Sequence, residues 1–114
     1  MKNIVLVGFM GTGKTTIAKE LSKRLKRSYV SLDELIEKKE KKTINQIFAE
    51  NGEAYFREIE AEVVKEVSDK ENLIIDAGGG VVLREQNVKN LKKNGILICL
   101  KARPEVILER TKGY

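Results

Sequence analysis

A glycine-rich segment near the start of the chain has the residue types and spacing of a phosphate-binding loop. Residues 8–15 read GFMGTGKT and match the pattern G-x-x-x-x-G-K-[ST]. Glycine lacks a Cβ, so backbone N–H groups can approach a bulky anion at Gly8, Gly11 and Gly13. Lys14 would place a positive charge on the β- and γ-phosphates of a nucleotide, and the Thr15 hydroxyl would bind Mg²⁺. The segment therefore predicts a site for a magnesium nucleotide.

The surroundings of this segment strengthen that interpretation. The apolar run Ile4–Val7 precedes it, and a helical pattern begins at Lys14, which gives the order strand, loop, helix. The unpaired N–H groups and the positive dipole end of such a helix point at the same anion. A plain glycine-rich turn is the alternative, but the strand, the spacing and the Lys-Thr pair together favour a phosphate site.

Other polar and glycine residues have chemistry that suits a ligand site, and each also has a simpler explanation. Asp33 offers a carboxylate but could merely cap a helix. Arg57 could merely be a solvated side chain, and the run Gly78–Gly80 could be a flexible turn. Asp76 follows an apolar run, as the acid of a Walker B strand does, but could instead hydrogen-bond the glycine run. The residues alone leave these alternatives open.

The elements that must position these residues follow from the apolar patterns. Residues 4–7, 73–75 and 96–100 are apolar without alternation, which is typical of parallel strands covered on both faces. A short strand is predicted at 29–31. Helices are predicted from apolar residues at three- and four-residue spacing, namely Ile17, Leu21 and Leu25 in one helix and Phe56, Ile59, Val63 and Val67 in another.

The helix boundaries have their own signals. Thr43 and Gln46 form a capping-box pattern that opens a short helix, and Asn51-Gly52 breaks it. Pro104 suits the first position of a last helix, 104–111. The alternation of strands and helices predicts one doubly wound α/β domain over residues 1–114, with right-handed crossovers. Ligands bind at the carboxyl ends of such strands, so Asp33 and Asp76, which is expected to end its strand, should both face the phosphate loop.

Composition narrows the possible functions. The chain has 114 residues, a net charge of +5 and no histidine, so histidine-based catalysis and histidine-ligated zinc are excluded. Lysine and glutamate interleave over residues 37–42, which indicates a solvated helix face rather than a nucleic-acid surface. Cys99 lies in an apolar run and is expected to be buried. No apolar run is long enough to span a membrane, so we expect a cytoplasmic protein that binds neither membrane nor nucleic acid.

Four segments together resemble the shikimate kinases, in order and at that family's spacings: GFMGTGKTT (8–16), LDELIE (32–37), NGEAYFREIE (51–60) and AGGGV (77–81). The resemblance implies the three-layer α/β/α P-loop kinase fold, similar to nucleoside monophosphate kinases. It also implies Mg²⁺-dependent transfer of the γ-phosphoryl group of ATP to the 3-hydroxyl of shikimate, giving shikimate 3-phosphate and ADP for aromatic amino-acid biosynthesis. A monomer that binds ATP or ADP and shikimate is expected.

The resemblance also implies roles for individual residues. Asp33 would hold the reacting hydroxyl and accept its proton, with Lys14 as the second catalytic residue. Arg57 would pair with the substrate carboxylate beside the backbone of Gly78, Gly79 and Gly80. The nucleotide would be held by Gly11, Thr12, Gly13, Lys14, Thr15 and Thr16, with Arg110 against the adenine.

Two departures from the family pattern carry expectations of their own. Ser31 stands where the family has an acid near the metal, whereas Asp76 stands where the family has a small residue. We therefore hypothesise that Asp76 supplies the charge to the water shell of Mg²⁺. The sequence ends at Tyr114, where the family's lid, last strand and last helix would follow, so these 114 residues are expected to bind ligands better than they turn them over. Another small-molecule P-loop kinase, for gluconate or nucleoside monophosphates, and a non-catalytic nucleotide-binding module remain the alternatives.

Overall fold

Apolar runs form the strands, and amphipathic segments form the helices between them. The computed structural model describes residues 2–8 and 14–100; residues 9–13 of the phosphate loop and the predicted last helix, 104–111, lie outside the described residues. The elements in order are β1 (Asn3–Gly8), α1 (Lys14–Leu25), β2 (Ser28–Ser31), α2 (Leu32–Glu40), α3 (Ile44–Ser68), β3 (Leu73–Gly78), a 3₁₀ turn (Gly79–Leu83), α4 (Glu85–Lys93) and β4 (Gly95–Leu100).

The four strands of the described residues form one parallel sheet in the order β2-β3-β1-β4. One face of the sheet packs its apolar side chains, among them Val5 and Ile75, against α2, α3 and α4. The other face packs Leu6 and Ile74 against α1 through Ala18. The predicted three-layer α/β/α architecture, with a parallel sheet between helices, is thereby confirmed.

Helix α3 begins and bends where the sequence predicts. The Thr43 hydroxyl accepts a hydrogen bond from the Gln46 backbone N–H at 3.1 Å, and the Gln46 side chain accepts one from the Thr43 N–H at 2.8 Å. Gly52 interrupts the helix with φ 85° and ψ 170°, a left-handed conformation that favours glycine. The predicted apolar face after this kink is buried, since Phe56, Val63 and Val67 all belong to the core.

Two expectations from the sequence are wrong. Cys99 is exposed rather than buried, because β4 is an edge strand of the described sheet, where Ile96 and Ile98 also remain 54% and 41% exposed. Asp76 does not end its strand, because β3 continues two residues further, with Ala77 opposite Val7. Within residues 2–8 and 14–100, no helix has both the length and the apolar character needed to cross a membrane.

Candidate active site

The carboxyl ends of the central strands bring the predicted ligand groups to one edge of the sheet. β1 ends at Gly8, the first residue of the phosphate loop, and Gly8 lies opposite Gly78 at the start of the glycine run. β2 ends at Ser31, and Asp33 follows in the first turn of α2. The phosphate loop, the acid and the glycine run therefore begin at the same edge, as expected for a doubly wound sheet.

Arg57 reaches this edge from α3 and is held by two acids on its own helix. Its Nη1 donates to the Glu60 carboxylate at 3.1 Å, and its Nη2 donates to Glu53 at 3.3 Å. The two partners differ in environment, because the Glu60 side chain is 5% exposed whereas that of Glu53 is 67% exposed. The guanidinium carbon also lies 5.2 Å from the ring centre of Phe56. Arg57 is therefore an oriented side chain rather than a freely solvated one.

The glycine run meets Arg57 at Gly80. A Cβ built on Gly80 would lie 2.3 Å from Arg57 Nη1 and 2.9 Å from its Cζ, closer than real Cβ contacts come. At Gly78 no described atom lies within 4 Å of such a Cβ. With Arg57 in this position there is no room for a side chain at Gly80, so the glycine and the arginine fit each other, which argues against a merely flexible turn there.

A cavity of about 440 Å³ opens beside this contact. Its lining combines two arginines, a glycine, three acids and two apolar residues: Glu53, Ala54, Arg57, Glu58, Glu60, Gly80, Leu83 and Arg84. A larger cavity of about 710 Å³ lies against β2, α2 and the start of α3, and its lining contains none of the predicted substrate groups. The smaller cavity is therefore the better candidate for the substrate.

Glu60, the last residue of the segment NGEAYFREIE, is a buried partner of Arg57 to which the sequence patterns gave no role of its own. Burial raises the pKa of its carboxyl, and the negative charge of Asp33 acts in the same direction, while the hydrogen bond from Arg57 lowers it. The charge of Asp33 thus acts on the carboxyl of Glu60. The three-residue spacing of Arg57 and Glu60 on one helix was the available signal, because it puts both on the same face.

Arg57 itself is firmly charged. Burial lowers the pKa of its guanidinium, but the hydrogen bonds and charges of Glu60 and Glu53 outweigh this, so the pKa lies above its ordinary value. An always-charged planar fork is the group that suits a carboxylate ligand.

Asp33 is exposed and does not cap α2. The cap is Ser31, whose hydroxyl accepts a hydrogen bond from the Glu34 backbone N–H at 3.4 Å. The capping explanation for Asp33 is therefore wrong. Asp33 lies in the first turn of α2, just after the end of β2, which is consistent with a position beside a bound substrate.

Asp76 lies inside β3 and is nearly buried, at 7% exposure. Its Oδ2 accepts a hydrogen bond from the Tyr29 hydroxyl at 2.8 Å. Ser31 is its register partner on the neighbouring strand. The residue that departs from the family pattern and the residue expected to compensate for it are thus direct neighbours across two strands.

The described residues contain no group of three or more Asp, Glu, Cys or His side chains able to hold a metal ion by themselves. The Asp76 carboxylate, next to the register position of Ser31, is a set of two hard oxygen donors. Such a set fits Mg²⁺, which keeps several waters and is bound by one or two carboxylates together with substrate phosphates.

Part of the predicted nucleotide site lies outside the described residues: Gly11, Thr12, Gly13 and Arg110. Helix α1 begins at Lys14, as the phosphate-loop pattern requires, and includes Thr15 and Thr16 in its first turn. The Thr16 side chain is exposed.

Comparison with known proteins shows the family to which this chain is related. The family model for shikimate kinase matches residues 10–114. A shikimate kinase of Pelotomaculum thermopropionicum is 54% identical over 99% of this chain and 66% of its own length. The structure of the Acinetobacter baumannii shikimate kinase in complex with shikimate superposes with a TM-score of 0.87 at 39% identity, covering 97% of this chain and 62% of that one. The Aquifex aeolicus shikimate kinase has a TM-score of 0.83 at 41% identity, covering 94% and 64%.

Proposed function

Because the chain belongs to the shikimate kinase family, we propose that it transfers the γ-phosphoryl group of ATP to the 3-hydroxyl of shikimate, giving shikimate 3-phosphate and ADP. The chain spans 66% of the length of that curated relative, so the activity proposed is that of the full-length protein. The observation that carries the proposal is the close approach of Arg57 to Gly80 beside a cavity at the phosphate-loop edge of the sheet.

Arg57 would bind the carboxylate of shikimate. Its Nη1 is held by the buried Glu60, whereas the acid on Nη2, Glu53, is exposed and only weakly retained. An incoming planar carboxylate would replace Glu53 and leave Glu60 as the fixed support. The backbone of Gly78, Gly79 and Gly80 would line the ring of the substrate, with the steric need clearest at Gly80.

Asp33 would orient the 3-hydroxyl and accept its proton as phosphorus–oxygen bond formation proceeds. Phosphoryl transfer demands mainly positioning and charge stabilisation, so a carboxylate that aligns the attacking oxygen is the residue type required. Lys14 would neutralise charge on the transferred group. The remaining nucleotide contacts would come from Gly11, Thr12, Gly13, Thr15, Thr16 and Arg110.

Asp76 would contribute to magnesium binding through water, together with the Thr15 hydroxyl. When bound, Mg²⁺ neutralises charge that develops on the phosphates. The role of Asp76 is to supply a negative charge next to the strand position where Ser31 has none. Cytoplasmic location, a monomeric state and the absence of nucleic-acid partners stay predictions.

The test is turnover of the full-length protein with a panel of acceptors in the presence of Mg²⁺. We expect ADP release to depend on shikimate and not on gluconate or nucleoside monophosphates. Asp33→Asn should lower kcat while shikimate still binds, because only the proton acceptor is removed. Turnover with another acceptor, or nucleotide binding without shikimate-dependent turnover, would contradict the proposal.

A further inference from the structure

The Tyr29–Asp76 hydrogen bond joins two strands within the proposed magnesium-nucleotide site. We propose that Tyr29 is a positioning residue that fixes the Asp76 carboxylate for the water shell of the nucleotide-bound magnesium ion. The inference rests on the proposed function, and specifically on the metal role proposed for Asp76. It adds a residue that neither the phosphate-loop pattern nor the four family-like segments contain.

The register of the strands explains how Tyr29 reaches Asp76. Ser31 lies directly opposite Asp76, and Tyr29 lies opposite Ile74. Because side chains alternate along a strand, all four point to the face of the sheet that α1 covers. The Tyr29 side chain therefore reaches diagonally to the next position on the same face of the neighbouring strand, where its hydroxyl donates a hydrogen bond to Asp76 Oδ2 at 2.8 Å.

The ring of Tyr29 is itself held in place. It is half-buried and packs against the apolar cluster that includes Ile74 and Ala18. Lys19 Nζ of α1 lies 6.0 Å from the ring centre, at the limit of a cation–π contact. A ring held from the sheet and from α1 gives its hydroxyl a defined position, which in turn selects one orientation of the nearly buried carboxylate.

Orientation is what the proposed task requires. Magnesium gives up its waters reluctantly, so a carboxylate that acts through such a water must point at it correctly. Hydrogen bonds to metal-associated carboxylates commonly matter by a factor of ten or more in affinity. Among the described contacts, the Tyr29 hydroxyl donates directly to the Asp76 carboxylate, so it is the group in place to orient that carboxylate.

The test compares ADP affinity with and without Mg²⁺ by isothermal titration calorimetry, and Mn²⁺ binding to the ADP complex by electron paramagnetic resonance. Tyr29→Phe keeps the ring and removes only the hydroxyl. We expect it to reduce the metal-dependent gain in ADP affinity about tenfold, while metal-free ADP binding stays unchanged. Asp76→Asn should remove most of the gain, and adding Tyr29→Phe to Asp76→Asn should cause no further loss.

Tyr55→Phe is the matched control. The Tyr55 hydroxyl also donates to a carboxylate, that of Glu40 at 2.5 Å, but on the exposed contact between α2 and α3. The metal-dependent gain in ADP affinity of the Tyr55→Phe variant should equal that of the wild type. A second design moves the acid to the adjacent strand in Ser31→Asp/Asp76→Asn, where we expect the gain to return and to be insensitive to Tyr29→Phe. Thermal unfolding checks that each variant is folded.

The outcomes distinguish a failure of the positioning role of Tyr29 from a failure of the metal role proposed for Asp76. If Asp76→Asn loses the metal-dependent gain and folded Tyr29→Phe keeps it, the positioning role of Tyr29 is wrong and the metal role of Asp76 stands. If Asp76→Asn retains the full metal-dependent gain in ADP affinity, the metal role of Asp76 and the positioning role of Tyr29 are both wrong. The kinase assignment is decided separately by the acceptor panel. Loss of the gain on Tyr29→Phe in the Ser31→Asp/Asp76→Asn background would also overturn the inference, because the hydroxyl would then act independently of Asp76.

Discussion

At the scale of single residues, the substrate side of the site depends on how Arg57 is supported. One end of its fork is fixed by the buried Glu60, and its face lies against Phe56. Removing one partner of a buried ion pair leaves an uncompensated charge, so Arg57 and Glu60 depend on each other. The arginine is thus oriented before substrate arrives, which reduces the ordering cost of binding.

Replacing Arg57 with lysine tests the value of the planar fork. Lysine keeps the charge but loses the bidentate geometry, so Arg57→Lys should raise the KM for shikimate by about tenfold or more and change the KM for ATP little. Arg24→Lys, which alters the exposed ion pair with Glu20 on α1, is the control and should behave like the wild type. Steady-state kinetics with both substrates gives the answer; equal KM values for Arg57→Lys and wild type would contradict it.

Gly80→Ala tests the steric contact between the glycine run and Arg57. The new methyl would meet the end of a flexible side chain, so Arg57 should shift and the fold should survive. We expect a KM for shikimate about tenfold higher, since a small misplacement of a binding group is costly. Gly78→Ala, where no described atom lies near the added methyl, should have a smaller effect. A larger effect at position 78 than at position 80 would show that the approach to Arg57 is not the reason for glycine.

At the scale of elements, α3 is two helical pieces joined at Gly52. The capping box at Thr43 fixes the start of the first piece. The positive φ of Gly52 changes the direction of the chain before the second piece, which carries Arg57 and Glu60. The second piece buries its apolar face, including Phe56 and Val63, against the sheet. The direction of that buried helix therefore places the substrate arginine.

Thr43→Ala tests the contribution of the cap. Loss of the hydrogen bond to the Gln46 N–H should lower the free energy of unfolding by about 1 kcal/mol. Asn45→Ala, at an exposed position in the same first turn, is the matched control and should change the stability by less than about 0.5 kcal/mol. Urea denaturation of both variants measures the difference; equal stability of the two would argue that the cap contributes nothing.

The elements were largely predictable from local patterns, and the exceptions have physical reasons. Apolar runs and the capping box carry their information within a few residues, so the strands and the start of α3 follow directly from the sequence. The exposure of Cys99 depends instead on which strand lies at the edge of the sheet. The position of Asp76 within its strand depends on the pairing of β3 with β1. The burial of Glu60 likewise arises from packing between elements, which spacing along one helix does not reveal.

At the scale of the whole molecule, the sheet brings two kinds of ligand group to one edge from opposite faces. The α1 face contributes Tyr29 and Asp76 beside the phosphate loop. The face covered by α2 and α3 contributes Asp33 and the Arg57–Glu60 pair. A bound nucleotide and a bound acceptor would therefore meet where β1 ends, and the core that buries Glu60 couples this site to global stability.

The buried carboxyl of Glu60 should make global stability depend on pH with a definite sign. Because its folded pKa lies above the ordinary 4.5, the folded protein retains a proton that the unfolded chain releases. Stability contributed by this group therefore falls as pH rises from about 4.5 through the folded pKa. The free energy of unfolding of wild type relative to Glu60→Gln should decline over that interval, measured by urea denaturation from about pH 4 to about pH 7. Glu58→Gln is the opposite control, because a hydrogen bond from Arg84 lowers the pKa of the exposed Glu58 and any slope should be small and reversed. A relative stability of wild type that rises over the same interval would mean that Arg57 outweighs burial at Glu60.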